Sequence, residues 1–184
     1  MGDRAVRLSR QSSAHSRTTM RIARLAALAA ALAVPMLAQA QSASISATAT
    51  VVTPLVVTGG TALNFQNVFQ GVDKSVAYTD ATNGGRFSIT GYANSQVALT
   101  FTLPASLSSG VNSLPINNYA VFTNGTNSTA GATALTVVSG TPVNSNLVTG
   151  NLFLFLGARV QPAVAQAAGT YTGSITLAAA YTGL

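Results

Sequence analysis

The chain of 184 residues contains no cysteine and no tryptophan, and it has only three acidic residues and one histidine. Without cysteine it can form neither disulfides nor thiolate metal sites, so stability must come from packing and strand pairing. Beyond residue 40, glutamate, histidine and methionine are absent as well. Few groups remain for acid–base or nucleophilic catalysis. We therefore expect a protein that is not an enzyme and that holds neither a metal nor a cofactor.

The carboxylates that remain after residue 40 are Asp73 and Asp80, close to Lys74. They could form a carboxylate pair across a hairpin or contribute to a cation site. A calcium ion needs six to eight oxygen ligands, however, and two carboxylates supply few of them. Because Gly71 and Asn83 bound the segment, solvated turn and edge positions are the simpler expectation.

The positive charge is concentrated at the amino end. Beyond residue 40 the chain carries only three basic residues (Lys74, Arg86 and Arg159) against two acidic ones, a net charge of +1. A nucleic-acid interface needs several clustered cations, because each neutralised phosphate adds separately to the affinity. We expect no nucleic-acid partner.

The amino end has the layout of an export signal. An apolar run at 25–34 and the sequence Ala38-Gln39-Ala40 follow six arginines: Arg4, Arg7, Arg10, Arg17, Arg21 and Arg24. This layout predicts a helical signal peptide over 1–40 that is cleaved after Ala40, and Met20 begins a complete signal by itself. A membrane anchor is the alternative, but the apolar run is shorter than the roughly 20 residues a spanning helix needs. We expect an exported protein without a transmembrane segment after cleavage, located in the periplasm, at the outer cell surface or outside the cell.

The remainder, 41–184, has the composition of strands and turns. Threonine, valine, glycine, asparagine and serine are abundant, and no long 3.6-residue apolar periodicity is present. The sequence predicts a single all-β domain, an immunoglobulin-like antiparallel sandwich of about eight or nine strands. The predicted strands are 42–52, 62–65, 72–79, 86–90, 97–103, 119–123, 133–138, 152–160 and 171–181.

The last predicted strand alternates most clearly. Tyr171, Ile175, Leu177 and Tyr181 are expected on the buried face, opposite threonine and serine. Tyr171 follows Gly169, an arrangement that favours a packed ring whose hydroxyl bonds back to the chain.

The segment 152–156 departs from this alternation, because leucines occupy one face and Phe153 and Phe155 the other. One face of a sandwich sheet is normally wet. Either a loop of the same chain covers the two phenylalanines, which is the ordinary explanation, or they form a subunit contact.

The segment 41–52, QSASISATATVV, would be the free end of the processed protein. Its apolar side alternates with hydroxyls and consists of Ala43, Ile45, Ala47, Ala49 and Val51. We consider two partners: the strand folds back as the first strand of its own sandwich, or it is donated to a neighbouring subunit by strand addition. The second would make the protein a homo-oligomer or an assembly of related subunits, with 53–55 as the hinge.

Several segments resemble the secreted bacterial family numbered 4402 among the domains of unknown function. They are ATATVVTPL at 47–55, ALNF at 62–65, RFSITG at 86–91, TLP at 102–104, LGARV at 156–160, QAAGTYTGSIT at 166–176, and Tyr181. The resemblance spans essentially all of 41–184. It departs at Gln66, where members usually have glycine, and at Phe153 and Phe155. It implies an immunoglobulin-like sandwich exported by Gram-negative bacteria, similar to pilus subunits in layout, with no catalytic residue.

Two functions follow as expectations. The first is a non-catalytic surface or structural protein, a pilus-like or adhesive subunit. The second is a secreted or periplasmic binding module for a glycan or protein, suggested by Tyr78, Tyr92 and Tyr119 near loops, although these rings are more simply strand aromatics.

Overall fold

The computed structural model describes residues 41–183, which contain ten strands and no helix. The strands are β1 Val56–Gly59, β2 Lys74–Val76, β3 Gly85–Thr90, β4 Ser95–Thr102, β5 Ser106–Ser109, β6 Asn112–Asn124, β7 Thr133–Leu135, β8 Pro142–Leu147, β9 Asn151–Val160 and β10 Thr176–Tyr181. The predicted all-β antiparallel sandwich is confirmed.

The strands form two antiparallel sheets. The larger has the order β1-β3-β9-β6-β5, with β2 also paired to β9 and β7 to β6, and the smaller has the order β10-β4-β8. β9 is the central strand, because β2 and β3 lie end to end along one side of it and β6 along the other. β1 and β10 are edge strands that each pair with a single strand of the described chain.

The core consists of two clusters, of which the first joins the two sheets. Leu152, Leu154 and Leu156 of β9 pack in the first cluster with Leu99 and Phe101 of β4. The second cluster lies towards the other end of β9 and contains Ala158 and Val160. Leucine and valine alternating along a strand produce such a face because successive side chains point to opposite sides.

The predicted strands around β2, β3, β4, β7 and β9 are confirmed, with shifts of their ends. The other segments differ. β1, β5 and β8 are unpredicted, and the serines and asparagines of β5 and β8 resemble loop composition. β6 begins at Asn112 rather than 119. The last strand begins at Thr176, and the expectation of a strand at 62–65 is wrong.

Residues 41–48 are exposed throughout and have no regular secondary structure. From residue 49 the chain belongs to one compact unit, but its first strand begins only at Val56. The expected strand at 42–52 is not present, and whether this segment pairs with its own sandwich or with a neighbouring subunit stays a prediction. Alternation makes a segment suitable for a strand, but a strand also needs a neighbour for its backbone N–H and C=O groups.

The predicted signal peptide, its cleavage and the alternative start at Met20 lie outside the described residues. Within residues 41–183, no helix is long and apolar enough to cross a membrane.

Candidate functional site

We call residues 41–54 the arm. Every residue of the arm is exposed, and Ile45 and Val51, the two largest side chains of its predicted apolar side, are 96% and 95% exposed. Ala43, Ala47 and Ala49, the other members of the predicted apolar side, are exposed as well. An exposed segment whose apolar residues alternate as in a strand can pair with the edge of a sheet in another chain.

The arm joins the sandwich at a point fixed by the last strand. The Tyr181 hydroxyl donates a hydrogen bond to the Thr53 carbonyl oxygen at 3.0 Å and accepts one from the Tyr92 backbone N–H at 2.7 Å. Leu55 then packs against the first core cluster. The position of the arm's root is therefore set by a side chain from the opposite end of the sequence.

A groove opens over the second core cluster. Its floor contains Phe65, Leu114 and Ile116, and the half-buried Leu107 and Ile175 border it. One wall is the segment 63–70, which follows β1, and the other is the segment 166–173, which precedes β10. The groove has a volume of about 1030 Å³. It therefore lies between the stretches of chain that adjoin the edge strands β1 and β10.

The 166–173 wall is held in place on β5. Ser108 and Thr172 exchange two backbone hydrogen bonds, at 2.8 and 3.0 Å. The Tyr171 hydroxyl donates to the Ala167 carbonyl at 2.7 Å, as the sequence predicted for this ring, and accepts from the Gln166 side chain at 2.6 Å. This wall is a fixed surface although it is not a regular strand.

The 63–70 wall is fixed to a different part of the chain. The Asn64 N–H donates to the Asn83 carbonyl at 2.9 Å, and the Gln66 side chain donates to the Asn83 side-chain oxygen at 2.8 Å. Gln66 has a φ of 52°, in the left-handed region that glycine adopts most readily. This backbone requirement is a physical reason for glycine at the position where the family resemblance expects it.

Across the described residues, hydrogen bonds join the two walls at one end only. There Gln70 donates through its side chain to the Gln166 carbonyl at 2.6 Å, and the Gly71 N–H donates to the Ala163 carbonyl at 3.0 Å. Phe69 lies beside this junction on the rim of the groove and is 73% exposed. The groove is thus closed at one end and open along its length.

The groove and the arm are both uncharged. Among residues 41–183, no Asp, Glu, Lys, Arg or His lines the groove, and the sequence of the arm contains none. Phosphates and other strongly charged ligands need paired charges, so this surface suits a neutral occupant.

The two carboxylates lie apart, each engaged with its own neighbours. Asp73 forms an ion pair with Arg159 at 3.6 Å and accepts a hydrogen bond from the Gln161 side chain at 3.2 Å. Asp80 accepts bonds from the Thr82 and Asn83 backbone N–H groups, both at 2.9 Å, and from the Asn83 side-chain amide at 3.0 Å. The Asn83 side chain, followed by these two backbone amides, holds the pKa of Asp80 below its usual value. The hypothetical carboxylate pair across a hairpin does not form.

Of the tyrosines considered for ligand binding, two have structural contacts. Tyr78 stacks on Phe122 with ring centroids 3.7 Å apart. Tyr119 donates its hydroxyl to the Pro104 carbonyl at 2.7 Å, and burial raises the pKa of Tyr119 to about 12. Only Tyr92 presents an exposed ring. The three tyrosines therefore do not present one shared exposed surface.

Phe153 and Phe155 differ in exposure. Phe155 is 1% exposed and lies in register between Arg86 and Phe122 of the flanking strands, with the Arg86 guanidinium 5.0 Å from its ring centroid. Its own chain covers it, so the subunit-contact hypothesis is wrong for Phe155. Phe153 is half-buried, and its role as a contact stays a prediction.

The sequence analysis missed the groove and its rim residue Phe69. A phenylalanine between asparagine, valine and glutamine in a turn-rich segment has no periodicity that distinguishes an exposed ring from a buried one. The groove also depends on long-range pairing, because residues 107, 114 and 175 reach one place only through the sheet topology.

No protein-family model matches the chain, and no curated protein matches it. The resemblance to family 4402 therefore stays a prediction.

Proposed function

We propose that the protein is an exported, non-catalytic structural subunit of the bacterial surface, pilus-like or adhesive, whose arm completes the sandwich of a neighbouring subunit. The observation that carries the proposal is the exposed arm, whose apolar residues alternate with hydroxyls and begin directly after the predicted cleavage point. An unpaired apolar strand at a chain end gains both hydrogen bonds and burial by adding to another sheet.

A non-catalytic role is supported by how the few reactive groups are used. Asp73 and Arg159 contact one another, Asp80 stabilises its own turn, and Lys74 donates to the Asn67 carbonyl at 3.1 Å. Among residues 41–183, no three side chains of the histidine, cysteine or acidic type come together as metal ligands. The groups that a hydrolase or metalloenzyme requires are thus committed to local structure.

Export is tested by producing the full chain in a Gram-negative host and sequencing the amino terminus of the protein recovered from the periplasm or the medium. We expect Gln41 as the first residue. A protein that stays in the inner membrane with residues 1–40 attached would contradict the proposal.

Strand addition is tested by electrophoresis of the processed protein in detergent without heating. We expect a ladder of oligomers that collapses to monomer on boiling and is lost when residues 41–52 are deleted. The double substitution Ile45→Asp/Val51→Asp should also abolish the ladder, because it charges the apolar side of the arm. Ser44→Asp/Thr50→Asp is the matched control and should retain oligomers. A monomeric wild type, or a deletion variant that still forms a ladder, would refute assembly through the arm.

A further inference from the structure

We propose that the groove is the acceptor site for the arm of a second copy of this chain. This inference rests on the proposed function and specifies which surface receives the donated strand. The contact joins two features of the same chain that are each incomplete: an arm without a strand partner, and a groove whose two walls are joined at one end only.

The chemistry of the two surfaces matches. The groove's floor is formed by core side chains, among them Leu114 and Ile116, and its lining carries no charge. The arm likewise carries no charge and presents Ile45 and Val51 on one side, with serine and threonine on the other. An extended segment placed with its apolar side on the floor would leave the hydroxyls towards solvent, so neither surface buries a charge.

The backbone on one side of the groove offers a place for a new strand. β10 pairs with β4 alone among the described strands, so its outer edge has free N–H and C=O groups. Ile175, which borders the groove, immediately precedes β10 and continues the half-buried side of Leu177 and Ala179. A strand lying in the groove can therefore extend along β10 and add a fourth member to the smaller sheet.

Phe69 supplies an anchor at the rim. Phe69 is 73% exposed on the rim of the groove, and its ring can contribute binding energy when a partner covers it. The neighbouring bonds of Gln70 to the Gln166 carbonyl and of Gly71 to the Ala163 carbonyl hold its backbone in place. Phe69 would then close over the end of the inserted arm.

The root of the arm and the groove lie at opposite ends of β10. Thr53 is bonded to Tyr181 at the carboxyl end of β10, whereas Ile175 and the groove lie beyond its amino end. Six strand residues separate these ends, about 20 Å. Donation from one end of a subunit to a groove at the other is a heterologous contact, which repeats along a filament without closing.

Single-cysteine cross-linking tests the pairing, since the chain has no cysteine of its own. Arm variants Ala43→Cys, Ile45→Cys and Ala47→Cys are each mixed with Thr170→Cys, an exposed position on the groove wall, and treated with a short bismaleimide. We expect a cross-linked dimer with one chain of each kind for at least one arm position. Thr141→Cys, exposed and outside the groove, is the matched control and should give none.

The outcomes separate this inference from the proposed function. If the arm deletion removes the oligomer ladder but no arm position cross-links to Thr170→Cys, strand addition stands and the groove is not its acceptor. If chains carrying both Ile45→Cys and Thr170→Cys cross-link only within one molecule, the arm fills its own groove and the inference is overturned. If the wild type forms no ladder and no cross-link, both proposals fail.

A rim substitution gives a second, independent measurement. Phe69→Ser should lower the yield of oligomers about tenfold, while circular dichroism and the melting temperature of the monomer stay at wild-type values because the ring is exposed. Val138→Ser, at an exposed apolar residue outside the groove, is the control and should assemble normally. Normal assembly of Phe69→Ser would refute the role of the rim.

Discussion

The Tyr181 hydroxyl donates a hydrogen bond to the carbonyl oxygen of Thr53, 128 residues earlier in the chain. The same hydroxyl accepts the Tyr92 backbone N–H. One oxygen thus joins the end of the last strand, the loop before β4 and the root of the arm. Three segments that are distant in sequence depend on it for their relative position.

Tyr181→Phe should destabilise the protein by about 1 kcal/mol, because it removes both hydrogen bonds and leaves the ring in place. Urea unfolding measures the loss, and amide hydrogen exchange should accelerate at Tyr92. Tyr92→Phe is a suitable control, since within residues 41–183 the Tyr92 hydroxyl has no hydrogen-bond partner. If Tyr181→Phe and the wild type have equal free energies of unfolding, the two hydrogen bonds make no net contribution to stability.

Gly91→Ala should be destabilising by about 1–3 kcal/mol, the usual cost of overpacking. A Cβ at this position would overlap the Tyr181 hydroxyl and lie 2.8 Å from the Leu55 side chain, so the root of the arm would have to move. Thermal unfolding provides the measurement. Gly125→Ala is the matched control, because a Cβ there meets nothing within 4 Å, and it should melt close to wild type.

Tyr119 should give the protein a distinctive alkaline titration. Burial raises its pKa from 10.0 to about 12, so the folded state holds the phenolic proton more tightly than the unfolded state. The stability that this proton contributes is complete below pH 10 and is lost as the pH rises to about 12. Ultraviolet titration of the wild type should therefore include a phenol ionising near pH 12 that is missing from Tyr119→Phe.

At neutral pH, Tyr119→Phe should also cost about 1 kcal/mol, because the Pro104 carbonyl loses its partner. Between pH 10 and 12 the stability of the variant should fall less steeply than that of the wild type. If the stabilities of Tyr119→Phe and the wild type fell equally over that range, the raised pKa of Tyr119 would be contradicted.

Asp80 should make the turn before β3 sensitive to acid. Because its hydrogen bonds lower the folded-state pKa below 3.8, its carboxylate stabilises the protein above that pH. This contribution disappears as the pH falls through the lowered value. Melting temperatures from pH 2 to 7 should show Asp80→Ala less stable than wild type at pH 7, with the difference shrinking in acid.

Asp80→Asn removes the charge and one of the three hydrogen bonds. Its side-chain oxygen can still accept from the Thr82 and Asn83 N–H groups, but its amide nitrogen replaces the oxygen that accepts from the Asn83 side chain. Its stability at pH 7 should therefore lie between those of Asp80→Ala and the wild type, and the acid dependence due to Asp80 should vanish. If Asp80→Asn is as unstable as Asp80→Ala, the two backbone bonds make no net contribution without the carboxylate.

The fold class could be predicted because it depends on local patterns. The leucines of β9 alternate, and Leu177, Ala179 and Tyr181 mark the buried side of β10. The hydroxyl of Tyr171 also bonds back to the chain as expected. Each of these expectations needs only the two-residue period of a strand or a short-range turn.

The expectations that failed concern pairing. The arm alternates as well as β10 does, yet Ile45 is exposed, because periodicity identifies a side that can be buried and not the surface that covers it. Conversely, β8 has the serine and asparagine of a loop but pairs with β4 along its whole length. The groove was unpredictable for the same reason, since its floor depends on strand order.

The central position of β9 has a consequence for the order in which the molecule can assemble. β9 ends at Val160, so β2, β3 and β6 all leave the ribosome before the strand that joins them. Until it arrives, their unpaired edges are open to wrong partners, and most of the polypeptide must wait unfolded. A chain that stops before residue 151 lacks the middle of its larger sheet, and we expect it to be degraded or to aggregate as a whole.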